Sequence, residues 1–125
     1  MRALPILPAF AFAALAAAPA SAHPKLVAAS PSANAAVAAP ARVQMRFSEL
    51  LMPRFSGADL VMTGMPGMKG LPPMKVASTA TVAADGHTLV VTPAKPLPRG
   101  SYRVSWRVVS ADTHRVTGSL AFAVK

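Results

Sequence analysis

The 125-residue sequence contains no cysteine. Many small secreted domains are stabilised by disulfides, so a domain without cysteine must rely on apolar packing. The same absence excludes a thiolate nucleophile, a Cys-ligated zinc site and an iron–sulfur cluster. If the chain binds a soft metal ion, the sulfur ligands must come from its 7 methionines.

Acidic side chains are scarce. Four Asp and Glu stand against 13 Lys and Arg, which gives a formal charge of +9 at pH 7. Such a charge can favour nucleic acid or anionic lipid as a partner. Apart from Arg2, however, the basic residues are scattered from Lys25 to Lys125, without a dense run and without the interleaved Phe and Tyr that an RNA-binding sheet would need. We therefore interpret the charge as a solvated basic surface and expect no nucleic-acid partner.

No hydrophobic run reaches the roughly 20 residues that a membrane-spanning helix needs. Residues 6–18 form a shorter apolar run, and the small residues at positions 20–22 complete the pattern of a secretory signal peptide. We predict that residues 1–22 are a leader, that it is removed after Ala22, and that residues 23–125 are one exported domain without a transmembrane segment.

Short β-type runs separated by Pro, Gly and Ser fill the predicted mature domain, and long helical periodicity is lacking. The clearest runs are residues 42–47, 58–62, 88–92, 102–108 and 119–124. About seven such strands predict an all-β Greek-key sandwich of the immunoglobulin-like kind, with Trp106 as the core anchor, and a closed small barrel is the alternative. Residues 28–40 are expected to be a strand end followed by a loop.

Cleavage after Ala22 would make His23 the first residue, with a free α-amine. The amine nitrogen and the imidazole Nδ1 of one histidine can close a six-membered ring on a metal ion, and Cu(II) favours such nitrogen ligands. Pro24 has no amide N–H to deprotonate. The binding mode that uses backbone amides and a histidine at position three is therefore closed, and a second histidine must complete the site.

A second histidine stands in Asp112-Thr113-His114, at a turn predicted before the last strand. In an extended segment, residues i and i+2 point to the same side, so a carboxylate and an imidazole would lie together. Mixed nitrogen and oxygen ligands in a square plane are diagnostic of Cu(II). For a lone histidine, the alternative of a turn residue bonded to backbone stays open. His87 is expected to be exposed.

Four methionines lie close together in the sequence, namely Met62, Met65, Met68 and Met74. Proline and glycine interrupt this stretch, so the buried stripe of a helix does not explain the spacing. Flexible thioethers on a loop suit Cu(I). The alternative is an adaptable apolar patch that contacts a partner protein.

Several motifs of the mature domain follow one another in a specific order and spacing. They are His23-Pro24-Lys25-Leu26-Val27, Phe47-Ser48-Glu49, Met65-Pro66-Gly67-Met68, Ser105-Trp106-Arg107, Asp112-Thr113-His114 and Thr117-Gly118. Together they closely resemble the CopC-type periplasmic copper resistance proteins, and the similarity covers residues 23–125.

The resemblance implies a cupredoxin-like or immunoglobulin-like β-sandwich that binds copper without catalysing a reaction. It implies a Cu(II) site made by the amine and imidazole of His23 with Asp112 and His114, and Glu49 is a weaker candidate. It also implies a Cu(I) site on the methionine loop. The best-known members carry a histidine in that loop, whereas this chain has none between Met68 and Met74, so weaker Cu(I) binding is expected.

The function implied is that of a periplasmic copper carrier or buffer, which serves resistance or homeostasis and exchanges copper with an inner- or outer-membrane transport protein. Two other functions compete with it. An oxidase that holds copper with its first histidine would also begin at His23, but the chain is short and has one Trp and one Tyr for a sugar platform. A metal-free sandwich would use the methionines as a contact patch in assembly.

Overall fold

The computed structural model describes residues 3, 5, 23–68 and 70–125. The predicted leader, apart from Ala3 and Pro5, and the predicted cleavage site lie outside the described residues, as does Lys69. In the part of the chain that is described, no helix has the length and apolar character needed to cross a membrane.

The described residues form nine β-strands and one turn of 3-10 helix. They are β1 (Leu26–Ser30), β2 (Ala36–Val37), β3 (Val43–Phe47), the 3-10 turn (Pro53–Phe55), β4 (Gly57–Gly64), β5 (Met74–Val76), β6 (Ser78–Val82), β7 (Thr88–Pro93), β8 (Gly100–Val109) and β9 (Arg115–Val124). Seven strands have five residues or more, and only β2 and β5 are shorter. The predicted all-β class is confirmed.

Two sheets make up the fold, one with the order β1-β3-β7-β6 and the other with the order β2-β9-β8-β4-β5. Neighbouring strands are antiparallel except for β2 and β9, where Ala36 and Val37 pair in parallel with Ala123 and Val124. The segment 28–40, expected to be a strand end and a loop, therefore contains an additional short strand. Two residues cannot display a periodicity, so this pairing leaves no signal in the sequence.

The core lies between the two sheets and is filled by side chains that alternate along the strands. In β8 the even-numbered side chains from Tyr102 to Val108 are buried, as the alternation predicts. Trp106 packs edge to face against Phe47, with ring centroids 5.9 Å apart, which confirms its position as a core anchor. Its cross-strand neighbour is Gly118, where a Cβ atom would lie 2.5 Å from Trp106 Cζ2.

Backbone hydrogen bonds tie three connecting segments together at one end of the sandwich. The Leu51 N–H, after β3, donates to the Gly86 carbonyl in the β6–β7 turn at 2.8 Å. The Ala111 N–H, in the β8–β9 turn, donates to the Leu50 carbonyl at 2.9 Å. These segments carry several of the predicted site residues, which therefore lie at the same end of the fold.

Candidate metal centre

The two histidines that the sequence predicts as ligands lie next to one another. The ring centroids of His23 and His114 are 4.7 Å apart, and the ring planes are inclined by 69°. Pro24 is fully buried, and the Lys25 carbonyl accepts a 2.8 Å hydrogen bond from the Ser48 N–H. The chain just after His23 is therefore anchored to the end of β3, while the His23 residue itself is exposed.

His114 ends a tight turn rather than standing on the extended segment that the i and i+2 argument assumes. The Ser110 N–H donates to the His114 carbonyl at 2.9 Å, and the Thr113 N–H donates to the Ser110 carbonyl at 2.8 Å. Thr113 has a φ of 75°, a left-handed conformation that costs a β-branched residue on the order of 1–3 kcal/mol. Closure of the turn, not strand alternation, brings Asp112 and His114 together.

The carboxylate of Asp112 is engaged at both oxygens. Oδ2 lies 3.0 Å from His114 Nδ1, and Oδ1 accepts a hydrogen bond from the Ser110 hydroxyl. The Ser110 hydroxyl, followed by the His114 ring, holds the pKa of Asp112 below its ordinary value. The Asp112 and His114 side chains are 46% and 45% exposed, so a metal ion can reach both from solvent.

Ser110→Ala is expected to raise the pKa of Asp112 toward its ordinary value, because it removes the hydrogen bond that lowers this pKa most. A carboxylate with a lowered native pKa stabilises the fold above its unfolded value of about 3.9, and this contribution is lost as the pH falls through the native pKa. In Ser110→Ala this contribution should therefore be smaller, and its loss should be complete at a higher pH than in the unsubstituted protein. NMR titration of the Asp112 carboxyl carbon measures the change in this pKa. Ser105→Ala, at an exposed position of β8, is the control. An unchanged Asp112 pKa would contradict the assignment.

Glu49, the weaker candidate, lies at the same end of the sandwich. It lines a surface cavity of about 410 Å³ together with Asp112, Ser110 and His87. His87 is half-buried rather than exposed as expected, and its Nδ1 lies 3.2 Å from the Phe47 carbonyl oxygen. The turn composition around His87 gives no indication that its ring faces the end of β3, so sequence reasoning could not find this contact.

The side chains alone do not form a complete metal site. Within residues 23–68 and 70–125, no three His, Asp or Glu side chains are grouped so that they could hold a metal ion. The two carboxylate oxygens of Asp112 contact the Ser110 hydroxyl and the His114 ring, so neither is free to bind an ion together with both imidazole rings. A complete set of ligands requires a further donor, a rotation of Asp112, or both.

Burial separates the four methionines. Met65, Met68 and Met74 are 38%, 52% and 53% exposed, whereas Met62 is 8% exposed and belongs to the core. The Met68 N–H donates to the Met65 carbonyl at 3.1 Å across a turn that contains Gly67. The position of Met62, inward on β4, does not support the expectation that it joins the other three in one soft-metal site.

Comparisons with known proteins agree with this architecture. The family model described as CopC domain matches residues 26–125. Copper resistance protein C of Xanthomonas campestris pv. juglandis is 59% identical over 113 residues, which cover 90% of this chain and 88% of that protein. Copper resistance protein C of Escherichia coli is 52% identical over 106 residues, with coverage of 85% and 84%. The crystal structure of selenomethionine PcoC, a copper resistance protein from Escherichia coli, gives a TM-score of 0.78 at 51% identity and covers 82% of this chain and 100% of its own.

Proposed function

The chain belongs to the CopC family of copper-binding copper resistance proteins, and we propose that it is a copper carrier whose Cu(II) site is completed when the amino terminus is processed. The observation that supports this proposal best is the contact between the rings of His23 and His114, 4.7 Å apart, with Asp112 against His114. Residues that are distant in sequence supply nitrogen and oxygen ligands of the kind that Cu(II) prefers.

Cleavage after Ala22 supplies the ligand that the side chains lack. In the full chain the backbone nitrogen of His23 belongs to an amide, and an amide is a poor ligand until it is deprotonated. After cleavage the same atom is an amine, and with Nδ1 of His23 it forms a chelate. The imidazole of His114 is then the third nitrogen in a square-planar set.

Asp112 supplies the fourth ligand by giving up its contact with His114. In the neutral ring of His114, Nδ1–H donates to Asp112 Oδ2 3.0 Å away, so the carboxylate is ionised and Nε2 keeps its lone pair. Cu(II) takes the ring nitrogen that carries no proton, the carboxylate turns from the ring to the ion, and the protons released on binding come from the α-ammonium group and from any protonated imidazole. The lowered pKa of Asp112 keeps its carboxylate ionised and ready for this exchange. Glu49 is the second candidate for an oxygen ligand.

The proposed role is a periplasmic carrier or buffer that consists of residues 23–125 after removal of the leader. The half-exposed ligands suit transfer, because an incoming ligand can reach the copper and replace the bound ligands one by one without unfolding the domain. The receiving partner would be a copper transport protein of the inner or outer membrane. The relatives carry the names of copper resistance proteins, and we propose binding without a catalysed reaction.

Pulsed EPR of the processed protein with one equivalent of Cu(II) tests the set of ligands. We expect a tetragonal Cu(II) spectrum with coupling from two imidazole rings. His114→Gln should reduce this to one ring, while His87→Asn, a control that also removes one of the three histidines, should leave two. Coupling from no ring, or the same coupling in His114→Gln, would refute the proposed site.

The exposed methionines are proposed as a Cu(I) site formed by Met65, Met68 and Met74. Thioether sulfur is a soft ligand that selects Cu(I) over harder ions, and these three side chains are accessible. The sequence between Met68 and Met74 supplies no imidazole. We therefore expect a weaker and faster-exchanging site than one that combines sulfur with a histidine nitrogen.

Replacing both Met65 and Met68 by leucine should weaken Cu(I) binding by about tenfold or more, on the scale of a lost contact at a metal site. The change conserves volume at exposed positions, so stability should change by less than about 1 kcal/mol. Anaerobic competition with bicinchoninate measures the affinity. Met52→Leu, outside the cluster, is the matched control. If this control and the double variant bind Cu(I) equally well, the loop is not the Cu(I) site.

A further inference from the structure

His87 has the features of a metal ligand, yet the site described above does not use it. Its Nδ1 lies 3.2 Å from the Phe47 carbonyl oxygen, so in the neutral ring Nδ1 carries the proton and donates it to this oxygen. The second nitrogen, Nε2, then keeps its lone pair. Metal-binding histidines commonly donate their other ring N–H to a carbonyl or carboxylate in this way.

The β6–β7 turn holds His87 in a fixed position. Asp85 Oδ1 accepts hydrogen bonds from the His87 N–H at 2.9 Å and the Thr88 N–H at 3.0 Å, and the Thr88 hydroxyl donates to Oδ2 at 2.7 Å. The His87 carbonyl accepts the Phe47 N–H at 2.8 Å. Because both the backbone and one ring nitrogen are fixed, little side-chain freedom is lost when Nε2 binds an ion.

A carboxylate is available in the same cavity. His87 and Glu49 are both half-buried and line the cavity of about 410 Å³, which also contains Asp112. The Asp112 oxygens contact Ser110 and His114. Glu49 takes part in none of the side-chain hydrogen bonds or ion pairs seen within the described ranges. An imidazole nitrogen and a carboxylate oxygen are both suitable ligands for Cu(II).

We propose that His87 forms a second, weaker Cu(II) position beside the amino-terminal site, with Glu49 as its carboxylate ligand whenever Asp112 supplies the oxygen ligand of the main site. Two side-chain ligands with water completing the coordination agree with the lack of a three-residue group in the described part of the chain. Such a position exchanges its ion readily. Since Asp112 lines the same cavity, the position gives copper a route into and out of the main site. This transfer role deepens the proposed function and rests on it, whereas the binding at His87 does not.

The test uses a processed chain in which His87 is the only histidine. The sequence has three histidines, so H23Q/H114Q leaves one, and any imidazole coupling to Cu(II) in pulsed EPR must come from it. We expect coupling from one ring. In this background, His87→Asn should weaken Cu(II) binding by about tenfold or more. Asparagine can place an N–H where Nδ1 stood, so the substitution retains the bond to Phe47 and removes Nε2.

Two carboxylate variants complete the design. In the H23Q/H114Q background, Glu49→Gln should weaken Cu(II) binding, whereas Asp59→Asn should not. Asp59 lies on β4 in the other sheet, near Arg107 and Lys75, so its loss changes the net charge equally without touching the cavity. Equal weakening in both variants would mean that charge alone acts, and the second position would be rejected.

The absence of imidazole coupling in H23Q/H114Q, or an equal Cu(II) affinity with and without His87→Asn, would overturn the proposal. Circular dichroism checks that each variant is folded before its Cu(II) affinity and imidazole coupling are compared. A failure of the proposed function has a different signature. It would be seen in the native chain, as equal Cu(II) binding before and after processing, and would leave the His87 result intact.

Discussion

His114→Ala is expected to lower the Cu(II) affinity of the processed protein by about 100-fold or more. Loss of a hydrogen-bond partner of a metal ligand typically costs about 10- to 100-fold in affinity, and loss of the proposed ligand itself should cost at least as much. The domain should remain folded. The His114 side chain is 45% exposed, and alanine retains the backbone N–H and carbonyl that close the turn with Ser110. The free energy of unfolding should therefore change by no more than about 0.5 kcal/mol.

Competition with a Cu(II) chelator gives the affinity of this variant, and urea unfolding gives its stability. Arg115→Ala, at the exposed next position, is the control, and it should leave both the Cu(II) affinity and the free energy of unfolding nearly unchanged. Asp112→Ala should also weaken Cu(II) binding. It should additionally lower the free energy of unfolding slightly, since it removes the carboxylate that accepts from the buried Ser110 hydroxyl, which keeps the His114 carbonyl as an acceptor. Unfolding of His114→Ala would contradict the placement of this residue at the end of the sandwich.

Trp106→Ala should have the largest effect on stability, a loss of about 3–5 kcal/mol. Its indole fills the core against Phe47 and lies over Gly118. Gly118→Ala should also destabilise the fold, by about 1–3 kcal/mol. The new Cβ would lie 2.5 Å from Trp106 Cζ2 and 2.7 Å from Cε2, so the ring has to move.

The two substitutions should not be additive, because they act on the same contact. Once Trp106 is alanine, Gly118→Ala should cost nothing, since no ring remains to be displaced. Gly64→Ala is the matched control in β4, as its Cβ would meet only Ser101 atoms at 3.8 Å or more. Chemical denaturation of the four members of the cycle measures the coupling. A full cost of Gly118→Ala in the Trp106→Ala background would show that this explanation is wrong.

The sequence predicts the long strands because each has one face in the core. In β8, alternation from Tyr102 to Val108 coincides with alternating burial. The sequence cannot predict β2, because its two residues form a strand only by pairing with the edge strand β9. The methionines illustrate the same limit, since spacing alone does not distinguish Met62, which faces the core, from Met65 and Met68, which face solvent.

The candidate site was predictable in its residue types more than in its geometry. A cleavage pattern before His23 and the family resemblance lead to the proposed ligands, and the structure brings His23 close to His114. The sequence does not reveal that Asp112 turns toward Ser110, because this depends on a left-handed residue in a closed turn. Nor does it reveal that His87 faces the backbone of Phe47, which lies on another strand.

The central claim is that the free amine of His23 is a copper ligand. The most direct measurement is a Cu(II) titration under a competing chelator of the processed protein and of a version with one additional residue before His23. The additional residue removes the amine from His23 and leaves every side chain in place. We expect tight one-to-one binding by the processed protein and binding weaker by about 100-fold or more in the extended one. Equal affinities would contradict the claim.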